Sequence, residues 1–264
     1  MRRVLFLVSA ALVHSACTAS LRQALGLPLD ASLPGGTVDR QITSGGVVRH
    51  YLLHVPANYD AGTPTPLIFN FHGYGSNSRE EESLTGMSIK ADQAGFIVVY
   101  PDGLYKGWSD GPGPDGLRDL EFVRDMIGSL EGQYNIDTKR IFATGISNGG
   151  GMTNRVGCSM ADLFAAIAPD SGAYNFWQDC SPARPMPVLA FHGLDDQLVP
   201  YSGGLPDAME PPIENWAAAW ASRDGCVSSP AVTTPADTIT VRTCSGCQGI
   251  AEVVLYTLAN HGHS

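Results

Sequence analysis

The chain has 264 residues, 44% of them hydrophobic and 16% charged, with 30 glycines, 18 prolines and a formal net charge of -10. That length and apolar content suit one large α/β core, and the acidity argues against nucleic acid or an anionic membrane as partner. Abundant Gly and Pro with few charges argue against a helical bundle or a disordered tail, and fit a loop-rich exported protein.

The chain begins with Arg2 and Arg3 and the apolar run Val4–Val13, too short to span a bilayer. Residues 1–19 therefore read as a signal peptide, cleaved after Ala19 or after Ala16, with 20–264 as one domain. Lipidation of Cys17 is the competing reading, against which His14 stands where a lipobox wants Leu. The spacing then predicts strands at Val47–Val55 and Leu67–Phe71, a helix over Arg79–Gln93 and a buried strand at Phe96–Tyr100. A loop rich in Gly, Pro and Asp, Pro101–Gly116, has a length common in functional loops. An amphipathic helix follows at Asp119–Tyr134, then a strand at Arg140–Thr144, a helix from Asn148 and strands at Phe164–Ala168 and Pro187–Phe191. A helix at Ile213–Arg223 and a strand at Ala251–Leu258 complete the pattern. Strands alternating with helices imply a mostly parallel sheet covered on both faces.

With Cys17 removed in the leader, Cys158, Cys180, Cys226, Cys244 and Cys247 remain. In an oxidising compartment we expect Cys158–Cys180 and Cys226–Cys247 disulfides, with Cys244 left over. Cys244-x-x-Cys247 has no second ligand pair at zinc spacing, so no metal is implied.

Gly-x-Ser-x-Gly occurs twice, around Ser147 and around Ser109; chance alone supplies roughly 0.3 matches in a chain so rich in glycine. Context separates them. A nucleophile elbow needs a strand arriving and a helix leaving, so that the turn lifts the hydroxyl clear of the sheet. Ser147 has both, whereas Ser109 lies inside a Gly/Pro loop. A serine hydroxyl needs a base, and the base an orienting acid, in the chain order Ser, Asp/Glu, His. Asp195 and Asp196 both follow the strand Pro187–Phe191, and spacing leaves them level. The base should follow the last strand, which leaves His261 or His263. His72 and His192 end strands beside glycines and read as structural histidines. For a developing oxyanion, the amide of Asn148 and one from the loop His72-Gly73-Tyr74-Gly75, that of Tyr74, are the expected donors.

Taken together, Phe71-His-Gly-Tyr-Gly75, Tyr100-Pro-Asp-Gly103, Thr144-Gly-Ile-Ser-Asn-Gly-Gly150, Phe164-Ala-Ala-Ile-Ala-Pro169, His192-Gly-Leu-Asp-Asp-Gln-Leu-Val-Pro-Tyr201 and Gly262-His-Ser264 resemble the secreted esterases that group feruloyl esterases, polyhydroxybutyrate depolymerases and acetylxylan esterases. The resemblance implies the α/β-hydrolase fold and a secreted serine carboxylic ester hydrolase without metal or organic cofactor. It selects Asp196 as acid and His263 as base. Of the family's Asp-Asp-Val-Gly-Phe run, only Asp119 and Phe122 have counterparts here. The family continues beyond the position of Ser264 with Trp-Pro-Gly and a final helix. The C-terminal end is accordingly expected to be truncated, with one sheet face partly uncovered. Feruloyl esters of plant cell-wall polysaccharide are the expected substrate, met by Trp108 and Tyr201, and the protein is expected to be a monomer with no nucleic-acid or membrane partner. Polyhydroxybutyrate depolymerisation and acetylxylan deacetylation are the alternatives within the class. Outside it stand a serine peptidase, a hydrolase-fold binding protein and an inactive truncated fragment.

Overall fold

The computed structural model describes residues 35–109, 113–175, 178–204 and 210–263, so the expected signal peptide at 1–19 and Ser264 lie outside the described residues. Among the described residues, ten strands form one sheet. They are β1 (Gly36–Ser44), β2 (Val47–Val55), β3 (Thr65–Phe71), β4 (Ile97–Pro101), β5 (Ile136–Ile146), β6 (Ala166–Asp170), β7 (Val188–Gly193), β8 (Ala231–Ala236), β9 (Ile239–Cys244) and β10 (Val253–Leu258). Their order across the sheet is β1-β2-β4-β3-β5-β6-β7-β10-β9-β8. From β4 through β10 neighbouring strands run parallel. The two margins, β1-β2-β4 and β10-β9-β8, are antiparallel.

The pleat divides the core. Leu53, Phe69 and Val99 join the large cluster on one face, while Leu52, Val98 and Tyr100 join a smaller cluster on the other. Neighbouring residues on a strand point oppositely, so the unbroken apolar run of β4 is what a strand buried on both faces requires. The helices are α1 (Ser78–Thr85), α2 (Met87–Ala94), α3 (Pro114–Glu131), α4 (Asn148–Ser159) and α5 (Ile213–Arg223). Trp216 and Trp220 of α5 are buried, and each indole N–H donates to Asn154 Oδ1 of α4 at 3.0 Å. Tyr174 stacks on Trp216 with centroids 4.0 Å apart. The helix that leaves the elbow is thereby fastened to the C-terminal part of the domain.

Three expectations need correction. The helix predicted over Arg79–Gln93 is two helices, because Gly86 adopts φ 56° and ends α1; a left-handed residue terminates a helix. The margins β1, β8 and β9 were not predicted, since β8 is exposed throughout and β1 buries little, which leaves no strong apolar alternation to read. The strand predicted at Phe164–Ala168 lies two residues later and carries Pro169 and Asp170 to the edge that holds Ser147. The disulfides Cys158–Cys180 and Cys226–Cys247 are present, and Cys244 is free and buried. Leu189, Phe191, Val254 and Tyr256 on one face of β7 and β10 are only partly covered. No helix among the described residues is long and apolar enough to cross a membrane.

Candidate active site

The C-terminal ends of the parallel strands converge on one edge of the sheet. Ser147 stands there between β5 and α4 with φ 59° and ψ -123°. A non-glycine residue in that region carries strain on the order of 1–3 kcal/mol and persists only where its surroundings impose it. Here they do. Ser147 N–H donates to Asp170 O at 3.0 Å, and Ser147 O accepts from Gly151 and Ala173 N–H, each at 3.0 Å. The two motif glycines have a separate role, which is backbone contact. A Cβ on Gly145 would sit 2.5 Å from Phe71 O, and one on Gly149 would press still closer on the same oxygen. Glycine is required at both because β3 and the elbow touch main chain to main chain.

The loop after β3 lies against the elbow, since a Cβ on Gly73 would be 3.5 Å from Ser147 Cβ. Tyr74 N–H has no backbone acceptor among the described residues, and the Asn148 amide opens α4, where first-turn N–H groups lack helical acceptors. The Asn148 side chain has a structural task that the sequence did not suggest. Its Oδ1 accepts from Trp108 N–H at 2.6 Å and its Nδ2 donates to Trp108 O at 2.9 Å, clamping the loop after β4 to the elbow.

That loop carries Trp108, which the sequence placed against substrate. The indole is 5% exposed, packs edge-on against Phe71 at 5.1 Å and donates its N–H to His72 O at 3.0 Å. The residue borders the cleft beside the elbow, with its ring packed mostly inward. His72 is likewise structural: Gly103 N–H donates to its Nε2 at 3.0 Å, and its Nδ1 lies 2.7 Å from Gly73 O. Burial holds this imidazole below the ordinary histidine range. Beneath the loop, Asp119 on α3 is buried, accepting from Arg49 at 2.8 Å and from Ser109 N–H at 3.0 Å. Arg49 in turn lies 4.0 Å over the Phe122 ring. The two family matches in that segment, Asp119 and Phe122, thus meet in one buried support. Ser109 serves as a loop residue.

On the other side, Asp196 follows β7 and is 2% exposed. Its Oδ1 accepts from Leu198 and Val199 N–H, each at 2.9 Å, and its Oδ2 lies 2.8 Å from His263 Nδ1. Burial opposes its charge, but the Val199 amide, the His263 imidazole and the Leu198 amide outweigh it and hold the carboxyl below its usual range. An ionised carboxylate only accepts, so His263 Nδ1 carries the proton and Nε2 presents its lone pair. Asp195 and His261, the alternatives, are exposed, and they meet through main chain, Asp195 N–H donating to His261 O at 3.0 Å. A Cβ on Gly193 would collide with the carbonyls of His261 and Gly262, so this glycine admits the terminal loop. His192 is fully buried with Nε2 2.8 Å from Val199 O and 3.3 Å from Asp196 Oδ2. Burial lowers its pKa, partly offset by that carbonyl and carboxylate. It supports the acid's turn, in keeping with its reading as a structural histidine, although the sequence did not show which turn it holds. Tyr201 is half-buried, its hydroxyl 2.9 Å from Thr257 Oγ1 and its ring edge-on to His192 at 5.9 Å. Its hydroxyl is thereby held at the end of β10, with the ring partly open to solvent.

A parallel sheet with antiparallel margins, a strained serine between strand and helix, and a buried acid–histidine contact beyond later strands define an α/β-hydrolase. The family model described as esterase PHB depolymerase matches residues 50–197, more than half of the chain, and the chain belongs to that family. Feruloyl esterase B of Piromyces equi is 32% identical over 232 residues, covering 82% of this chain and 42% of that protein. A probable feruloyl esterase C of Aspergillus niger is 33% identical over 60% of this chain and 58% of its own length. The chain thus spans roughly half the length of these relatives. Among solved structures, an acetyl xylan esterase from Aspergillus awamori superposes with a TM-score of 0.67 at 16% identity, covering 86% of this chain and 94% of that one. The feruloyl esterase module from Clostridium thermocellum does so with a TM-score of 0.60 at 16% identity, covering 87% and 82%. At such identities the likeness is one of fold.

Proposed function

We propose that the protein is a secreted serine carboxylic ester hydrolase that releases ferulate or related cinnamates from plant cell-wall polysaccharide. The observation that carries the chemistry is the 2.8 Å contact between His263 Nδ1 and Asp196 Oδ2 at the same sheet edge as the strained Ser147. Ser147 Oγ attacks the ester carbonyl while His263 Nε2 takes its proton. Asp196 fixes the tautomer and stabilises the imidazolium that forms. The carbonyl oxygen becomes an oxyanion facing the amides of Tyr74 and Asn148. Collapse expels the alcohol, protonated by His263, and water then releases the acid by the same route. The feruloyl preference is supported by the names of the relatives that share about a third of their aligned residues with this chain. Export is supported by the apolar leader and by two disulfides.

Acetylxylan is the second reading, favoured by a bifunctional acetylxylan esterase/xylanase of Neocallimastix patriciarum that is 33% identical over 56% of this chain. Fluorophosphonate labelling and hydrolysis of methyl ferulate test the proposal. The native protein should label and turn over; Ser147→Ala should not label and should lose roughly 10⁴- to 10⁶-fold in kcat. Turnover of acetylated xylan with none of methyl ferulate would leave the chemistry and replace the substrate. No labelling at all would defeat both.

A further inference from the structure

Next to the elbow lies a surface that this chemistry leaves unused. A shallow cleft of about 190 Å³ is lined by Tyr74, Leu104, Tyr105 and Asp115, together with Gly107 and Trp108. Tyr105 is 93% exposed and Tyr74 80%, far more than packing would leave on rings of that size. Tyr105 and its successor Lys106 have φ 55° and 61°. Glycine would make that turn without strain, so the tyrosine is presented at a backbone cost that folding alone does not explain. Lys106 O accepts from Gly75 N–H at 2.7 Å, tying the turn to the loop that carries Tyr74. The Tyr74 ring lies against Gly107, where a Cβ would be 2.8 Å from Cδ2 and 3.4 Å from Asn148 Oδ1. The cleft's wall at Gly107 and Trp108 therefore meets the side chain of Asn148, the residue after Ser147.

Its chemistry selects among ligands. Two open ring faces suit a flat C–H surface, and the exposed Asp115 carboxylate, engaged among the described residues by Arg118 at 3.3 Å, has acceptor capacity for hydroxyl donors. With the buried Asp119 also lining the cleft and a chain charge of -10, an anionic ligand is disfavoured. A cinnamoyl ring would find a wet platform edged by a carboxylate in place of an enclosing apolar slot. We infer that Tyr105, with Tyr74 and Asp115, forms a subsite for a neutral glycosyl residue on the alcohol side of the scissile ester. This rests on the ester-hydrolase reading and adds the part of the substrate that is recognised.

The test compares a feruloylated arabinoxylo-oligosaccharide with methyl ferulate, which lacks sugar. Tyr105→Ala should raise KM for the oligosaccharide roughly 3- to 10-fold with kcat held, and leave methyl ferulate within about twofold. Tyr105→Phe, which keeps the ring face, should behave as the native protein. Equal losses on both esters would place the aryl group in the cleft and overturn the inference, as would no loss on either. A second arm is independent of turnover. Ser147→Ala titrated calorimetrically with unesterified xylo-oligosaccharide should bind, and adding Tyr105→Ala should weaken that binding by a similar factor, roughly 3- to 10-fold. If the native protein hydrolyses neither ester, the functional reading fails and this titration alone decides the subsite; absence of binding there overturns it.

Discussion

The nucleophile limb, built from the ends of β3 and β5, and the acid–base limb, built from β7 and β10, are held in place by different means. In the first, main chain rests on main chain: Gly145 and Gly149 touch the carbonyl of Phe71, and the Asn148 side chain grips the backbone of Trp108. In the second, the main-chain contact at Gly193 only admits the terminal loop. The working geometry there comes from a polar cluster in which Asp196 receives two amides and an imidazole. The first limb should tolerate no added atom where main chain meets main chain at Phe71, and the second no changed proton.

The largest effect should come from the polar limb. Asp196→Asn keeps the shape but replaces an acceptor with an amide, favouring the wrong tautomer of His263. A fall of about 10⁴-fold in kcat on methyl ferulate is expected, with little shift in the thermal midpoint. A loss below tenfold would mean that the contact does not orient the base. On the backbone limb the change should register as stability. Gly149→Ala drives a methyl into Phe71 O and should destabilise by about 3 kcal/mol or more in denaturant unfolding, while Gly73→Ala, which meets only ordinary contact, should stay within about 1 kcal/mol. Similar values for the two would show that main-chain contact at Phe71 O does not set what this limb tolerates.

A smaller effect depends on pH. Glu81 on α1 is buried, and burial, with a contribution from Asp170, pushes its carboxyl up from 4.5 to about 8. The folded state thus keeps a proton that the unfolded chain releases. This contribution is complete below the unfolded value and is lost as pH rises through about 8. Between about pH 6 and pH 8 the native protein should lose about 2 kcal/mol of stability relative to Glu81→Gln. Parallel pH profiles for the two proteins would show that Glu81 is ionised in the fold.

The parts of the molecule legible beforehand are those whose cause is local. The helix Ile213–Arg223 was read from the spacing of Ile213, Trp216, Ala217 and Trp220, all buried on one face. The elbow was read from glycines flanking a serine between strand and helix, because close backbone approach leaves its mark in residue type. The two expected disulfides are present, although five cysteines do not by themselves fix which pair forms. The α1–α2 break was missed although Gly86 was in view, since a lone glycine inside a helical pattern is often tolerated.

Other features were settled only by tertiary structure. Asp195 and Asp196 differ by one position, so spacing left them level and the family resemblance alone favoured Asp196; only the turn after β7 shows why, burying Asp196 and exposing Asp195. Trp108 and Tyr105 are both aromatics of one Gly-rich loop, yet the Asn148 clamp and the Phe71 ring draw Trp108 into the core, while left-handed backbone turns Tyr105 out to solvent. Sheet margins such as β8 bury too little to leave a periodic trace. A sequence records what each residue demands of its neighbours along the chain. Burial, and the partner that meets a carboxylate, depend on segments brought together from far apart, and those exist only once the sheet has assembled.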